Sequence, residues 1–335
     1  MSLADLNAKL EHGALSPPEI DAAFSEIMEG LAAHEDIKRF LTFTIPHMHD
    51  PLWIAGGARS LRARMLPVKA PDGAIDVCGT GGDGAHSLNI STAVAFVAAG
   101  SGVVVAKHGN RAMSSKSGAA DVLEALGVKL TGDIATLERS LREAGVAFLF
   151  AQNHHPAMRH VALARRELGK RTLFNLLGPL SNPAGVKRQL VGVFSADFAE
   201  PVARALQTLG CERALVVHGA GGIDELSAAG KEANDVAMLD DGAVRMQRAS
   251  MPGEMHPDLR GGTAAENAAE MQALLAGKGR PGHRAAVLIN AAAALFVAGR
   301  VSSIEEGHAL AADSIDSGAA REALERLIDV TRSAA

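Results

Sequence analysis

Residues 74 to 92, AIDVCGTGGDGAHSLNIST, run from a short apolar stretch through a glycine-crowded turn into Asn89, Ser91 and Thr92, which open a second apolar stretch. That order of parts predicts a strand, a turn and a helix, and so a layered α/β architecture with the turn at a strand's carboxyl end. Glycines let the main chain come close to a polyanion with its N–H groups aimed at it. The first turn of a helix adds unpaired donors and the positive end of its dipole. A phosphorylated small molecule is the expected ligand.

Gly79, Gly81 and Gly84 also fit the looser GxGxxG dinucleotide pattern. In a dinucleotide fold, however, the third glycine lies inside the helix start, and an acidic residue about 20 positions on binds the ribose. Here polar or small residues separate Gly84 from the predicted helix start near Ile90, and the next strand, Val103 to Ala106, runs into Lys107 and His108. A basic pair there suits phosphate. A turn that merely joins strand to helix would explain the glycines but not the Asn-x-Ser-Thr that follows.

From Ala74 onward, short β-branched runs alternate with helical stretches. Strands are predicted at Ile75 to Cys78, Val103 to Ala106, Ala147 to Phe150, Leu190 to Phe194 and Ala214 to His218. Helices are predicted near Ile90 to Ala99, Ser117 to Leu126, Ile134 to Ala144, Pro156 to Leu168 and Ala199 to Leu209. This is the signature of a mainly parallel sheet flanked by helices. With 47% hydrophobic residues but only 3% aromatic, the core must be built from Ala, Val, Leu and Ile, which suits strands buried on both faces.

Residues 1 to 66 carry helical periodicity only. Ser16 to Glu19 forms a capping-box pattern with Pro17 at the first helical position, followed by an apolar face of Ile20, Ala23, Phe24, Ile27, Met28 and Leu31. Further helices are predicted over Glu35 to Phe43 and Leu52 to Met65. A chain of 335 residues exceeds the usual single-core size. The expectation is a small helical domain over 1–66, which later helices can join, and an α/β domain over 74–335, connected by Pro67 to Gly73.

A net charge of −5 disfavours a nucleic-acid binder that relies on a global basic field. Cys78 and Cys211 lack metal-ligand spacing and fit a reducing compartment. No stretch approaches 18 uninterrupted apolar residues, and the N-terminal segment has no apolar core of signal-peptide length, so a cytoplasmic protein without membrane contact is expected.

Three further polar clusters follow predicted strands or helices. The loop from Lys107 to Gly118 combines the cations Lys107 and Arg111 with donors from Asn110, Ser114 and Ser115, as an oxygen-rich anion requires. The adjacent carboxylates Asp224 and Glu225 suit magnesium, which takes one or two carboxylates plus phosphate oxygens; Asp224 as a helix cap is the plainer alternative. The stretch from His154 to Gly185 carries Arg159, Arg165, Arg166 and Arg171, and a guanidinium matches a carboxylate bidentately. His154, His155 and His160 have no carboxylate or cysteine at ligand spacing, which argues against a metal there.

Together GTGGDG..S.NIST, KHGNR..SSKSG.AD.LEALG, HP.MRH....R.ELG.RT.FNLLGPL.NPA and the late Asp-Glu pair resemble the anthranilate phosphoribosyltransferase family, in matching order from about residue 15 to 330. The resemblance implies a fold shared with pyrimidine nucleoside phosphorylases, a role in tryptophan biosynthesis and dependence on magnesium. It implies transfer of the phosphoribosyl group of phosphoribosyl pyrophosphate to the amino group of anthranilate, and a homodimer formed through the small helical domain. Carried over by position, Gly79, Gly82, Asp83, Ser87, Asn89, Ile90, Ser91 and Thr92 would hold phosphoribosyl pyrophosphate, with Lys107, His108, Gly109, Asn110, Arg111, Ser114, Ser115 and Ala119. Gly79, Asn110 and Arg165 would contact anthranilate, while Ser91, Asp224 and Glu225 would serve magnesium.

Two departures stand out. The family has Asn-Thr-Phe where this chain has His86, Ser87 and Leu88, and a serine where it has Ala119. The implied chemistry calls for no covalent nucleophile and no general base, because an aromatic amine attacks an oxocarbenium-like centre without prior deprotonation. A pyrimidine nucleoside phosphorylase of the same fold and a non-enzymatic nucleic-acid-binding relative are the rival readings.

Overall fold

The structure, a computed structural model, describes residues 1–112, 116–228, 233–251 and 259–333. Four helices lead: α1 (Leu3–Leu10), α2 (Pro17–Met28), α3 (His34–Thr44) and α4 (Pro51–Arg62). The predicted capping box starts α2, where the Glu19 carboxylate accepts the Ser16 N–H at 2.8 Å. Ile20, Ala23, Phe24, Ile27 and Met28 are buried as the periodicity requires, but Leu31 is 71% exposed. The helix ends at Met28, and Gly30, with φ of +73°, turns the chain away before Leu31 can join that face.

The alternating part contains β1 (Ile75–Gly79), α5 (Ile90–Gly100), β2 (Val105–Gly109), α6 (Ala119–Ala125), α7 (Ile134–Glu143), β3 (Val146–Phe150), α8 (Ala151–His154), α9 (Arg159–Leu168), β4 (Arg188–Gly192), α10 (Ala199–Thr208) and β5 (Arg213–His218). Two elements without a sequence-based expectation follow, β6 (Ala233–Asp240) and β7 (Ala243–Ser250), then α11 (Ala264–Leu275), α12 (Pro281–Ala298), α13 (Ile304–Asp316) and α14 (Ala319–Ser333). The expected strand at Val103 to Ala106 lies two residues later, and the one at Leu190 to Phe194 two residues earlier. The helix expected from Pro156 begins as a single 3-10 turn, Pro156–Met158, before α9.

Among the described residues one sheet has the order β3-β2-β1-β4-β5-β6-β7. Strands β1 to β5 are parallel, and β6 and β7 add an antiparallel hairpin edge. Asp241 and Gly242 turn that hairpin at φ of +48° and +69°, the positive pair that a type I′ turn demands.

Alternate residues of the central strands feed opposite layers. Leu190, Leu215 and Val217 join α5, α11, α12, α13 and α14 on one side, while Val191, Ala214 and Val216 join the four N-terminal helices, α9 and α10 on the other. Helix α12 is long and apolar enough to cross a membrane by composition, yet 72% of it is buried within the fold. It is the central core helix, packed on α5 and α13.

Candidate active site

The chain lays β2 and β3 on one side of β1 and β4 onward on the other, so a crevice opens beyond the carboxyl ends of β1 and β4, where open parallel sheets bind ligands. A cavity of about 860 Å³ occupies that place. From the first loop it is lined by Gly79, Gly82, Asp83, Ser87, Asn89, Ser91 and Thr92. Lys107, His108, Gly109, Asn110, Arg111 and Ala119 line it from the end of β2 and the start of α6, and Arg165, Asp224 and Glu225 complete the convergence. Ile90 does not line it: its side chain is fully buried in the core and its N–H is bonded to the Leu88 carbonyl at 2.7 Å. Ser114 and Ser115 lie outside the described residues.

The glycine turn takes the form its composition predicts. Gly81, Gly82 and Gly84 have φ of +64°, +76° and +79°, conformations costly to side-chain-bearing residues. Thr80 ties the turn to the next strand, donating its N–H to Gly192 and accepting the Phe194 N–H on its hydroxyl. Asn89 is held from outside the loop, its amide oxygen accepting from Asn267 of α11 at 2.9 Å.

Beside this turn, β1 and β2 separate. They share one registered pair, Ile75 with Val105, whereas β1 and β4 remain paired along five residues. Buried side chains fill the gap. Asp76 accepts the His108 N–H at 3.0 Å and the Asn182 amide at 2.7 Å, and Asn182 also donates to the Ala106 carbonyl. Lys107 is only 3% exposed; its ammonium donates to the Val77 carbonyl at 2.7 Å and to the Ser91 hydroxyl at 3.1 Å. Burial pulls the Lys107 ammonium below its ordinary range, opposed by the nearby Asp76 carboxylate.

The acidic residues meet at the foot of the turn. Asp224 accepts the Gly81 N–H at 2.7 Å, and Asp83 accepts the Asp224 N–H at 3.3 Å, so Asp224 caps no helix. One ligand atom from each of Asp83, Asp224 and Glu225 lies within 4.8 Å of the others, and the buried Glu225 Oε2 has no hydrogen-bond partner. Burial, reinforced by the Asp83 charge, pushes the Asp224 carboxyl up to about 6, and burial beside Asp224 raises Glu225 further. Carboxylates crowded this way, with one oxygen orphaned, fit a hard divalent cation such as magnesium. Asp83 as a member of this trio was not read from the sequence, because its separation of 141 residues from Asp224 hides the contact.

Other expected residues divide. Arg111 is engaged by Asp121 at 2.8 Å and Glu124 at 2.5 Å, which raise its pKa and occupy its charge. Arg165 has only burial acting on its pKa, and its guanidinium lies 5.7 Å over the Phe174 ring. The histidines form no metal cluster among the described residues: His154 meets the Leu66 carbonyl, and His155 Nε2 lies 3.2 Å from His108 Nε2. Arg171 also lines the cavity, its guanidinium 4.3 Å over the Phe194 ring and donating to the Gly82 carbonyl.

This arrangement recurs in known proteins. The model of the glycosyl transferase family a/b domain matches residues 71–321. An anthranilate phosphoribosyltransferase of Erythrobacter litoralis is 50% identical over 94% of this chain and 96% of its own. The chain belongs to the anthranilate phosphoribosyltransferase family. The crystal structure of the Thermus thermophilus anthranilate phosphoribosyltransferase superposes with a TM-score of 0.91 at 39% identity, covering 99% of this chain and 100% of that one. The Saccharomyces cerevisiae anthranilate phosphoribosyltransferase, solved in complex with PRPP and Mg, superposes at 0.88 with 28% identity, covering 99% and 98%.

His86, where the sequence resemblance implies Asn, is explained by its backbone. It has φ of +50°, a left-handed conformation in which Asn and His are both enriched. Its carbonyl accepts the Gly261 N–H at 2.8 Å, which fixes the turn against the segment before α11. At Ala119, the first residue of α6, the chain offers a methyl group to the cavity where the sequence resemblance implies a serine.

Proposed function

We propose that the crevice beyond β1, β2 and β5 binds phosphoribosyl pyrophosphate and anthranilate and joins the phosphoribosyl group to the anthranilate amine, releasing pyrophosphate in tryptophan biosynthesis. One observation carries the reading: the glycine turn, the buried Lys107 and the Asp83, Asp224 and Glu225 trio border one cavity. Cleavage of the glycosidic bond to pyrophosphate leaves positive charge on the sugar and concentrates negative charge on the leaving group. Magnesium, when bound by Asp224 and Glu225 with Ser91 nearby, neutralises charge on the pyrophosphate.

The chain's own groups do the rest. Main-chain N–H groups of the glycine turn and the positive dipole end of α5 meet the phosphates together with Gly79, Gly82, Asp83, Ser87, Asn89 and Thr92. Lys107, His108, Gly109, Asn110 and Arg111 approach from β2. Arg165, without a carboxylate partner among the described residues, pairs with the anthranilate carboxylate, helped by Gly79 and Asn110. Holding two reactants in register supplies up to about 7 to 11 kcal/mol of a barrier, so positioning is the main demand.

No covalent nucleophile or general base is assigned. Burial raises the Cys78 thiol far above its usual range and pushes the His108 and His155 rings down to about 3 and 4, leaving both neutral at pH 7. Residues 1–66, with α9 packed on α2 and α3, act as the helical domain that forms a homodimer of this cytoplasmic enzyme, and residues 74–335 supply the rest of the site. Sedimentation would read two copies.

The deciding experiment follows anthranilate fluorescence. It should fall only when phosphoribosyl pyrophosphate, magnesium and enzyme are all present. Unchanged fluorescence alongside phosphorolysis of uridine or thymidine would transfer the chain to the nucleoside phosphorylases.

A further inference from the structure

Asp224 and Glu225 belong to neither a helix nor a strand. They follow a turn beyond β5 that the Gly219 N–H closes on the Ile223 carbonyl at 2.8 Å, and a turn that ends before them does not by itself keep crowded carboxylates in place. Asp83, Asp224 and Glu225 approach within 4.8 Å, where like charges push apart.

Two fully buried amides grip the chain around this pair. Asn290 of α12 accepts the Leu226 N–H at 2.9 Å and donates to the Leu226 carbonyl at 2.8 Å, so one side chain satisfies both main-chain groups of the residue after Glu225. Its second amide hydrogen goes to the Ala286 carbonyl at 2.9 Å, which fixes the amide's orientation on its own helix. Asn234 of β6 accepts the N–H groups of Ser227 at 2.8 Å and Ala220 at 3.2 Å, and donates to the carbonyls of Ser227 and Ala249. Every donor and acceptor of both amides is used, unlike a core asparagine tolerated by chance.

Glycines receive the gripped segment. A Cβ on Gly192 would fall 1.4 Å from the Asp224 carbonyl oxygen, one on Gly219 2.1 Å from the Glu225 carbonyl oxygen, and one on Gly79 2.4 Å from Asp224 Oδ2. The ends of β1 and β4 and the first residue after β5 are thus bare where the acidic turn rests.

We propose that Asn290 and Asn234 are positioning residues which, with the glycine seat, fix the spacing of Asp224 and Glu225 and thereby set the affinity of the site for a divalent cation. This deepens the proposed function and rests on the magnesium role of that pair. The amides touch no reacting atom; they hold the main chain that carries the ligands, the role outer partners play at metal sites.

The test uses the full-length enzyme and Mn2+ as the probe, its binding read by electron paramagnetic resonance, beside the magnesium requirement of turnover and the thermal midpoint. Asn290→Ala should weaken Mn2+ binding and raise the half-saturating magnesium by about tenfold, as loss of an outer partner does elsewhere. The KM for phosphoribosyl pyrophosphate at saturating magnesium should move less. Asn290→Asp keeps size and the acceptor for the Leu226 N–H but loses the donor, so it remains informative if the alanine variant does not fold, and it too should weaken Mn2+ binding. Asn234→Ala should act in the same direction. A lowered thermal midpoint with unchanged Mn2+ affinity in these variants would overturn the positioning role, provided Asp224→Ala abolishes Mn2+ binding. Unchanged Mn2+ binding in Asp224→Ala would instead overturn the metal reading beneath it.

Discussion

The Lys107 ammonium lies 2.7 Å from the main-chain oxygen of Val77, spanning the gap that opens between β1 and β2. A ladder partner is absent there because Asp76 and Asn182 wedge the strands apart, and the same opening admits a ligand between the glycine turn and the loop after β2. One buried cation therefore bridges the strands and faces the cavity.

Lys107→Met should reveal both roles. A hydrogen bond to a charged group contributes about 1.5 to 3 kcal/mol, so denaturant unfolding should show a loss of that order. The KM for phosphoribosyl pyrophosphate should rise at the same time. Wild-type stability in the variant would mean that the bridge to Val77 and Ser91 does not hold the strands.

His86 makes a prediction about backbone rather than chemistry. At φ of +50° an asparagine is equally suited, whereas a β-branched residue meets its own carbonyl. His86→Asn should leave the thermal midpoint nearly unchanged, and His86→Val should cost about 1 to 2 kcal/mol by denaturant titration. Equal loss in both would show that the imidazole, not the conformation, matters at this turn.

Much of this was legible in the sequence, and the failures share a cause. The alternation of β-branched runs with helices yields the five parallel strands, and the glycine turn yields its own geometry, because both are set by neighbours along the chain. Hairpin β6–β7 went unread although Asp241-Gly242 is a strong local turn signal, since β7 mixes polar and apolar residues at an exposed edge and β6 opens with the polar pair Asn234 and Asp235. The site was legible in its parts but not in its pairings. Arg111 reads as a free cation until α6 brings Asp121 and Glu124 against it, and Asp83 reads as part of the glycine turn until β5 delivers Asp224. Ile90 shares a motif with binding residues, yet helical geometry turns it into the core.

The engagement of Arg111 has a measurable consequence. Its partners are partly exposed, and such pairs contribute about 0 to 1 kcal/mol each. Glu124→Gln should therefore barely alter stability but make the guanidinium easier to recruit to phosphate, lowering the KM for phosphoribosyl pyrophosphate by up to about fivefold. A raised KM would mean that Glu124 presents the arginine to the ligand.

The buried pair His108 and His155 dictates the acid limit. Burial depresses the His155 ring to about 4 and the His108 ring to about 3, against an ordinary 6.5. Between those values and 6.5 the unfolded chain binds more protons than the folded one. The stabilisation is thus complete above pH 6.5 and is lost as pH falls through 6.5 toward 4. Urea midpoints measured from pH 7.5 to 4.5 should fall, and His155→Asn should flatten that slope. An unaltered slope would show that the ring is not held neutral.

Arg165 bears on substrate choice most directly. Its guanidinium is half-buried over Phe174, lines the cavity and meets no carboxylate of the chain among the described residues, so an incoming carboxylate would find a desolvated, preoriented partner. A charge-assisted pair of this kind contributes about 1.5 to 3 kcal/mol, or about tenfold to a hundredfold in affinity. Arg165→Ala should raise the KM for anthranilate by that factor while leaving the KM for phosphoribosyl pyrophosphate close to wild type. Arg165→Lys should recover only part of the loss, because a single ammonium cannot reproduce the planar fork. Steady-state kinetics with each substrate varied in turn decides the matter, and a selective rise in the KM for phosphoribosyl pyrophosphate would reassign this arginine to the phosphate side of the crevice.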